Sequence, residues 1–366
     1  MTAPADLRAR FGARALAMHW LPLTSVAGLA IVSLYLGRLP SWSLAEWQVL
    51  FVLFVLFVAV RGLEESGLIL RLSQRIERGR LVPLKLTLLT FFLSMVVTND
   101  AALIVIVPLT LMLNTRRKGM LVILETLAAN AGSALTPIGN PQNLFIYWYY
   151  GIEPLEFVAA IAPFSAAFLV LLVVLALATT LPREPVPPPT PGPVRHQAWV
   201  YAALLVLTIL TVLRVLPVWA AALVPLYALA LDRRSLRLDY GLLVSFLCFF
   251  AIADGLQVLL ATRVEGAREV FLVSALSSRA ISNVPAALLF AKFTDQWQAL
   301  LWGVSVGGFG SLVGSLANLI GYKLYIDHYS TGDRLAFTVR FLVIGTAALA
   351  AGIVLFLALE RWYWPR

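Results

Sequence analysis

Long apolar runs recur along this chain from Ala15 to its C-terminal end, and they decide what it can fold into. Many contain enough residues to cross about 30 Å of hydrocarbon as a helix. Of the 366 residues, 60% are hydrophobic and only 13% are charged. A water-soluble domain cannot bury so much apolar surface, because its buried fraction grows slowly with size. The sequence therefore predicts an all-α polytopic membrane protein.

Nine crossing helices are predicted, at 15–38, 44–61, 119–148, 156–181, 198–216, 218–232, 240–261, 297–325 and 335–361. Two further apolar stretches, 81–115 and 270–292, carry a polar break, so each is expected to be a re-entrant helical hairpin. The proline-rich segment 182–197 predicts a cytoplasmic linker between the two halves, 1–181 and 198–366. The first apolar run is too long for a signal peptide and is interpreted as a retained helix.

The basic residues indicate how the chain is oriented. If both hairpins return to the side they entered, most of the 28 Lys and Arg residues fall on one side of the membrane. Cytoplasmic loops are the ones enriched in such residues, so the N-terminus is expected inside and the C-terminus outside. The same bias accounts for the net charge of +9. No arginine-aromatic tract or zinc-ligand spacing indicates a nucleic-acid partner.

Three blocks of the first half recur, in the same order, in the second half. Trp47–Leu63 matches Tyr240–Leu256, and Thr98-Asn99 matches Ser282-Asn283. The third block matches Gly132, Gly139, Asn143 and Leu144 with Gly307, Gly314, Asn318 and Leu319. The expected topology places the two copies in opposite orientations, which is the inverted-repeat plan of secondary transporters.

Each half is expected to contribute one hairpin (81–115, 270–292) and one discontinuous helix (119–148, 297–325). A chain break inside the bilayer survives only within protein or beside water. Converging half-helix ends offer amides to an anion and carbonyls to a cation. A lone Asn or Ser, or the Gly303/Gly307 spacing, more often means helix packing, but four breaks together indicate a site. The candidate substrate- or ion-binding residues are Thr98, Asn99, Asp100, Thr136, Gly139, Asn140, Asn143, Ser282, Asn283, Ser311, Gly314, Ser315 and Asn318.

Four charged residues within the apolar runs bear on coupling. After the first hairpin break a helix is expected to start near Ala101, with Asn99 or Asp100 as its N-cap. Burial favours the protonated form of Asp100 and the helix dipole favours the ionised form, so the sequence does not decide its charge. Arg279 is predicted to neutralise Asp100 or Asp254, or to attract an anion. Glu125 is a candidate proton carrier or a vestibule residue. No metal ligands are assigned.

The first hairpin and the Ala131–Asn143 stretch resemble the arsenite permease and citrate-transporter (CitMHS-type) branch of the ion transporter superfamily. The chain is most similar to a bacterial anion-permease-like inner-membrane subgroup. The motifs TNDxAL, AGSxLTPIGNPQN, SNVP and GGFGxxxGSLANLI carry this resemblance over nearly the whole chain. It implies a homodimer with a scaffold domain, a moving domain that holds the hairpins, and an elevator-type motion in the bacterial inner membrane.

The hairpin tips depart from those of the dicarboxylate cotransporters in this superfamily, which carry Ser-Asn-Thr at both tips. Here the tips are Thr98-Asn99-Asp100 and Ser282-Asn283-Val284. An ionised Asp100 repels a dianion by on the order of several kcal/mol at low dielectric. A neutral, cationic or proton-coupled substrate therefore fits better than a dicarboxylate, and arsenite, which is mostly uncharged at neutral pH, remains compatible.

The predicted function is a secondary active transporter of a small anion or arsenite-like oxyanion, coupled to H⁺ or Na⁺. The chain has no P-loop, and no cofactor is expected apart from the coupling ion. The alternative is a cation exporter or Na⁺/H⁺-type antiporter, including one for a divalent metal, that uses Asp100. An intramembrane enzyme is a remote alternative because no HExxH, DDxxD-like run or embedded histidine is present. A channel is also compatible with the sequence, although paired hairpins suit alternating access better.

Overall fold

The computed structural model describes residues 22–71, 81–113, 117–179, 194–260, 264–328 and 331–363. Within these ranges all regular structure is helical, and no β-strand occurs. The predicted all-helical class is thus confirmed for the described part of the chain. The beginning of the first predicted crossing and most of the predicted linker lie outside the described residues.

Fifteen α-helices occur in the described ranges: α1 (Pro22–Leu36), α2 (Leu44–Glu65), α3 (Val82–Val97), α4 (Asn99–Met112), α5 (Lys118–Ser133), α6 (Pro141–Tyr149), α7 (Pro154–Ala178), α8 (Gln197–Val212), α9 (Leu223–Leu231), α10 (Tyr240–Leu260), α11 (Ala267–Ile281), α12 (Asn283–Ala291), α13 (Trp297–Gly307), α14 (Leu316–His328) and α15 (Thr331–Tyr363). A short helical turn at 68–71 follows α2. Two 3₁₀ segments, Val218–Ala222 and Arg233–Leu236, flank α9.

The predicted crossing at 218–232 is not one continuous α-helix. It starts as the 3₁₀ segment Val218–Ala222, and the α-helix begins only at Leu223. Pro225 accounts for this start, because proline lacks the N–H of an interior helical residue and is tolerated in the first helical turn. The predicted helices at 119–148 and 297–325 are both interrupted, as α5–α6 and α13–α14.

Among the described residues, four helices are long and apolar enough to cross a membrane: α2, α7, α10 and the part of α15 from Arg334 to Glu360. Only 33% of the most apolar window of α7 is buried inside the protein. Large side chains on it, such as Leu155 and Val170, are 80% and 64% exposed. Exposed apolar surface on that scale is stable against lipid and costly against water.

The start of α2 shows how the local sequence fixes a helix end. The hydroxyl of Ser43 accepts a hydrogen bond from the backbone N–H of Glu46 at 3.3 Å. The carboxylate of Glu46 accepts in turn from the backbone N–H of Ser43 at 2.8 Å. This reciprocal pair is a capping box, which satisfies two N–H groups that the first turn leaves unbonded.

Apart from α1, the helices fall into two groups according to their packing. The α2 layer consists of α2, α8, α9, α10 and the two 3₁₀ segments, which pack on one another. The hairpin layer consists of the hairpins α3–α4 and α11–α12, the broken helices α5–α6 and α13–α14, and the helices α7 and α15. The layers meet where α10 packs on α12 and where α2 packs on α4 and α6.

Packing inside the hairpin layer follows the same scheme in both halves. Helix α3 packs on α5 as α11 packs on α13, and α4 packs on α14 as α12 packs on α6. A Cβ atom at Gly132 would lie 2.1 Å from the carbonyl oxygen of Phe91, and one at Gly307 would lie 2.4 Å from that of Ala275. Both close approaches therefore require glycine.

Candidate functional site

Each hairpin turns through one hydroxyl-bearing residue in a backbone conformation that side chains rarely adopt. Thr98, between α3 and α4, has φ 81° and ψ 155°, and Ser282, between α11 and α12, has φ 76° and ψ 153°. Such a conformation costs about 1–3 kcal/mol for a residue other than glycine. It persists only where the surrounding structure enforces it, which makes both tips candidate functional positions.

Thr98, rather than Asn99 or Asp100, is the N-cap of α4. Its hydroxyl accepts a hydrogen bond from the backbone N–H of Ala101 at 3.5 Å, and the helix begins at Asn99. The predicted N-cap, Asn99 or Asp100, was therefore wrong, and the helix starts two residues before Ala101, because the threonine caps the helix from its strained conformation. The two polar side chains that follow belong to the first turn of α4 and are available for other contacts.

The backbone at each tip is bonded to the interruption of the broken helix in the same half. The N–H of Asn99 donates to the carbonyl oxygen of Gly139 at 3.1 Å. The N–H of Asn283 donates to the carbonyl oxygen of Gly314 at 2.9 Å. The first N–H groups of a helix lack intrahelical partners, so each broken helix supplies the acceptor that its hairpin tip needs.

A second pair of hydrogen bonds joins each broken helix to the arm before the tip. The hydroxyl of Thr136 donates to the carbonyl oxygen of Met95 at 2.6 Å. The hydroxyl of Ser311 donates to the carbonyl oxygen of Arg279 at 3.0 Å. Thr136 and Ser311 were predicted as binding residues, and in this structure their hydroxyls hold the last carbonyls of the arms.

One asparagine side chain spans each helix interruption. The amide nitrogen of Asn143 lies 3.0–3.1 Å from three carbonyl oxygens, those of Ser133, Ala134 and Thr136. The amide nitrogen of Asn318 lies 2.7 Å from two, those of Gly308 and Ser311. The carbonyls at the end of a helix lack intrahelical donors, and these two side chains supply them.

Asn130, which the sequence analysis did not select, lies at the centre of the polar contacts. Its Nδ2 donates to Oδ1 of Asn318 at 2.8 Å, and its Oδ1 accepts from Nδ2 of Asn99 at 3.4 Å. Nδ2 of Asn99 also reaches Oγ of Ser315 at 3.5 Å. The first tip therefore contacts both broken helices. A polar side chain in the apolar run before the first break was the signal that could have identified Asn130.

Several buried polar atoms around the interruptions have no hydrogen-bond partner. They include Oδ1 of Asn140, Oδ1 of Asn143 and Oγ of Ser305, in residues that are 3%, 0% and 5% exposed. Leaving such an atom unsatisfied costs about 1–3 kcal/mol. The interruptions thus carry hydrogen-bonding capacity that the protein itself does not use.

Asp100 lies in the first turn of α4, beside the α2 layer. Its backbone N–H donates to Oδ1 of Asn99 at 2.9 Å, whereas its own Oδ1 is buried with no hydrogen-bond partner. Glu64 is on α2, which packs on α4. Glu64 is itself paired with Arg61 at 3.1 Å. Glu64 was not predicted, although the charges at the end of an apolar run were a usable signal.

Arg279 does not pair with Asp100 or Asp254 in the described part of the chain. Its Nη2 donates instead to the carbonyl oxygen of Gly310 at 3.1 Å. The physical reason is its position in the last turn of α11, where the carbonyl end of the helix favours a cation. Attraction of an anion by Arg279 stays a prediction.

Asp254 belongs to a partly buried ionic cluster between the two layers. Nζ of Lys292, directly after α12, lies 2.7 Å from Oδ1 of Asp254 on α10 and 2.9 Å from Oε1 of Glu46 on α2. It also lies 5.5 Å from the ring centre of Tyr149. The side chain of Lys292 is only 12% exposed, so this cluster ties the second hairpin to two helices of the α2 layer.

Glu125 is fully buried on α5, and the hydroxyl of Thr110 on α4 donates to its Oε1. This contact links the second arm of the first hairpin to the broken helix. A buried carboxyl group can bind and release a proton, and the role of Glu125 as a proton carrier stays a prediction.

A small cavity lies between the two broken helices and α15, beside Thr126, Gly310 and Asn318. Its volume is about 10 Å³, which is room for about one water molecule. A polyatomic solute does not fit there. In the described ranges no three His, Cys, Asp or Glu side chains come together to hold a metal ion.

Two hairpin tips and two helix interruptions thus meet through buried amide, hydroxyl and carbonyl groups, and helices able to span a membrane surround them. Such a constellation offers hydrogen-bond donors and acceptors of the kind that a small polar solute needs. The profile of the citrate transporter family (CitMHS) matches residues 14–307. The chain belongs to this family.

The names of similar proteins also indicate a membrane transporter. The chain is 29% identical over 358 residues to the "Uncharacterized transporter MJ0456" of Methanocaldococcus jannaschii, covering 94% of this chain and 98% of the relative. It is 32% identical over 312 residues to the "Inner membrane protein YbiR" of Escherichia coli, covering 78% and 82%. A shorter match, 30% over 158 residues, is to the "Silicon efflux transporter LSI3" of Oryza sativa subsp. japonica, covering 39% and 32%.

Proposed function

We propose that this protein is a secondary active transporter that moves a small anion or arsenite-like oxyanion, coupled to H⁺ or Na⁺. The observation that carries the proposal is the pair of strained hairpin tips at Thr98 and Ser282, each followed by an asparagine whose backbone N–H donates to a broken helix. Chain breaks at membrane depth mark the binding region of such transporters. The proposed location is the bacterial inner membrane, and the inner-membrane relative supports it.

We propose further that the two halves are inverted repeats, with the N-terminus inside and the C-terminus outside. Support comes from hydrogen bonds that recur between matching residues, such as Asn99 to Gly139 and Asn283 to Gly314. In the proposed elevator motion the hairpin layer slides along the α2 layer, which is the scaffold. The proposed assembly is a homodimer, and chemical cross-linking in the membrane tests it.

The substrate class is proposed from the charges at the tips. An anionic Asp100 opposes a dianion, whereas an uncharged hydroxide such as arsenous acid meets no such repulsion. One relative is named for silicon efflux, and silicic acid is likewise an uncharged hydroxide at neutral pH. Amide and hydroxyl groups at the interruptions are suited to such solutes, because they donate and accept hydrogen bonds.

Proteoliposomes carrying the purified protein test the transport activity. Arsenite, silicate, phosphate and citrate are offered under an imposed pH gradient, an imposed Na⁺ gradient, or neither. We expect one of these solutes to accumulate only when a gradient is present. Gradient-independent leakage of every solute would point to a channel, and no flux of any of them would refute the proposal.

The second candidate function is cation export or Na⁺/H⁺-type exchange through Asp100. It is favoured by one observation, the buried Oδ1 of Asp100, which has no hydrogen-bond partner. Asp100→Asn separates the two candidates. A cation carrier should lose most of its activity, whereas a carrier of uncharged or anionic solutes should keep a substantial part. Rates in the same vesicles, normalised to reconstituted protein, provide the comparison.

A further inference from the structure

Three arginines stand together at one end of the α2 layer. Arg233 and Arg234 open the 3₁₀ segment that follows α9, and Arg237 comes directly after this segment. All three residues are exposed. The backbone N–H of Arg237 donates to the carbonyl oxygen of Arg234 at 3.0 Å, which is the 3₁₀ pattern, and residues so related lie on the same side of the chain. Residues 233–237 are called the arginine turn below.

The positive charge of the arginine turn is not used within the described part of the chain. Nε of Arg233 donates to the carbonyl oxygen of Leu229 at 3.2 Å, and the other two guanidinium groups make no hydrogen bond there. Neither neighbouring aspartate, Asp232 or Asp239, forms an ion pair with the arginines in the same ranges. Each guanidinium carries five N–H donors, so the turn offers charge and donors to an external partner.

The arginine turn is fixed to the protein on its inner side. Ser235, in the middle of the turn, is fully buried. Its hydroxyl accepts a hydrogen bond from the hydroxyl of Tyr201 at 2.7 Å and donates to the carbonyl oxygen of Asp232 at 2.8 Å. The ring of Tyr201 in turn packs on α2, where a Cβ at Gly62 would lie 2.1 Å from it. A backbone held in this way loses little freedom when a partner binds.

Exposed apolar residues lie directly before the arginine turn. Leu229 and Leu231, at the end of α9, are 53% and 71% exposed, which is stable against hydrocarbon and costly against water. Tyr240, just after the turn, is 50% exposed, and its hydroxyl donates to the carbonyl oxygen of Leu236 at 2.7 Å. Tyrosine and arginine favour the boundary between hydrocarbon and water. The turn therefore lies at the depth of the phospholipid head groups.

We propose that Arg234 and Arg237 bind the phosphate of an anionic phospholipid whose acyl chains lie against Leu229 and Leu231. Guanidinium groups bind phosphate oxygens through paired N–H donors, and basic residues beside a membrane helix attract anionic head groups. The exposed leucines favour a lipid over free phosphate, because only the lipid has chains to cover them. This inference concerns the surrounding membrane and goes beyond the proposed transport function.

Lipid titration of the purified full chain tests the proposal. Phosphatidylglycerol, which is anionic, or phosphatidylcholine with the same acyl chains is added to the protein in detergent, and the unfolding temperature is followed by tryptophan fluorescence. A ligand that binds only the folded state raises this temperature. We expect a saturable rise with phosphatidylglycerol at mole fractions where phosphatidylcholine has little effect. An equal rise with both lipids overturns the proposal, because the charge of the head group is then not recognised.

The double variant Arg234→Gln/Arg237→Gln removes the proposed phosphate contacts. The mole fraction of phosphatidylglycerol for half-maximal stabilisation should rise about thirtyfold, which corresponds to about 2 kcal/mol for two arginines. An unchanged midpoint overturns the proposal. Should this variant unfold early even in phosphatidylcholine, Arg234→Lys/Arg237→Lys replaces it. Lysine keeps the charge but loses the paired donors, so a smaller rise in the midpoint is expected, and no rise again overturns the proposal.

A matched control removes the same charge from two arginines on different helices. Arg38, after α1, and Arg340, on α15, are exposed and stand next to the exposed apolar residues Leu39 and Val339. Arg38→Gln/Arg340→Gln should keep the wild-type midpoint, and an equal loss in both double variants overturns the proposal, because the total charge then governs binding.

Inorganic phosphate separates the lipid from the free anion. We expect no rise in the unfolding temperature when sodium phosphate replaces sodium chloride at constant ionic strength. A rise equal to that with phosphatidylglycerol overturns the assignment to a lipid. None of these measurements uses solute flux, so the lipid site and the proposed transport function can fail independently.

Discussion

Replacing Lys292 with methionine removes the cation that holds two carboxylates of the α2 layer against the second hairpin. Nζ of Lys292 lies 2.9 Å from Glu46 and 2.7 Å from Asp254. Methionine keeps much of the aliphatic length of lysine, so the change removes charge with little loss of packing. The carboxylate of Glu46, whose side chain is 5% exposed, would then stay buried without its counter-charge.

The expected cost follows from this burial. Removing one partner of a buried ion pair costs about 3–5 kcal/mol, because the remaining charge stays desolvated. The lower end applies here, since the side chain of Asp254 is 40% exposed and water can solvate it. At roughly 2 °C per kcal/mol for a large domain, about 3 kcal/mol lowers the unfolding temperature by about 6 °C.

The assay is thermal unfolding of the purified protein, followed by tryptophan fluorescence. Arg268→Gln is the control, because it breaks the Arg268–Glu360 pair, in which Arg268 is 55% exposed. No measurable shift is expected for this control, since exposed pairs are screened by water. Adding Glu46→Gln to Lys292→Met should recover part of the loss, because the buried charge is then removed. The burial reasoning is refuted if Lys292→Met and Arg268→Gln shift the unfolding temperature equally.

Three further outcomes can be checked with single substitutions. Gly307→Ala places a methyl group 2.4 Å from a backbone oxygen, so the monodisperse fraction on size-exclusion chromatography should fall sharply, whereas Gly266→Ala should not change it. Asn318→Ala leaves two helix-end carbonyls without their side-chain donor, and we expect a loss of about 2–3 kcal/mol, seen as a lower unfolding temperature. Glu125→Gln keeps the hydrogen bond from Thr110 but cannot carry a proton, so proton-driven flux should fall while solute binding, measured by calorimetry, is retained.

The sequence was most informative about where the chain is interrupted. The polar residues Thr98-Asn99 and Ser282-Asn283 within apolar runs located both breaks, and the backbone groups freed at a break inside lipid must find partners in the protein or in water. The sequence also aligned the glycines and asparagines of the two broken helices, and the aligned residues occupy corresponding places in the structure. Asn143 and Asn318 make corresponding contacts with the carbonyls of their own interruptions.

Side-chain pairing was not readable from the sequence. Asp254 contacts Lys292 rather than Arg279, because partners are chosen by the packing of α10 on α12 and no local pattern encodes that distance. The N-cap at Thr98 was missed for a different reason. Preferences for capping residues assume ordinary dihedral angles, and Thr98 caps α4 from a conformation that residues other than glycine seldom occupy.

The strained tips also limit how this protein can be made more robust. Glycine adopts positive φ at no steric cost, so replacing Thr98 or Ser282 with glycine is the simplest way to relieve the local backbone energy. A search for heat-resistant variants should therefore return these substitutions early. Each would delete a buried hydroxyl group at a hairpin tip, so a variant selected for shelf life or crystallisation would be a poor guide to what the natural protein transports.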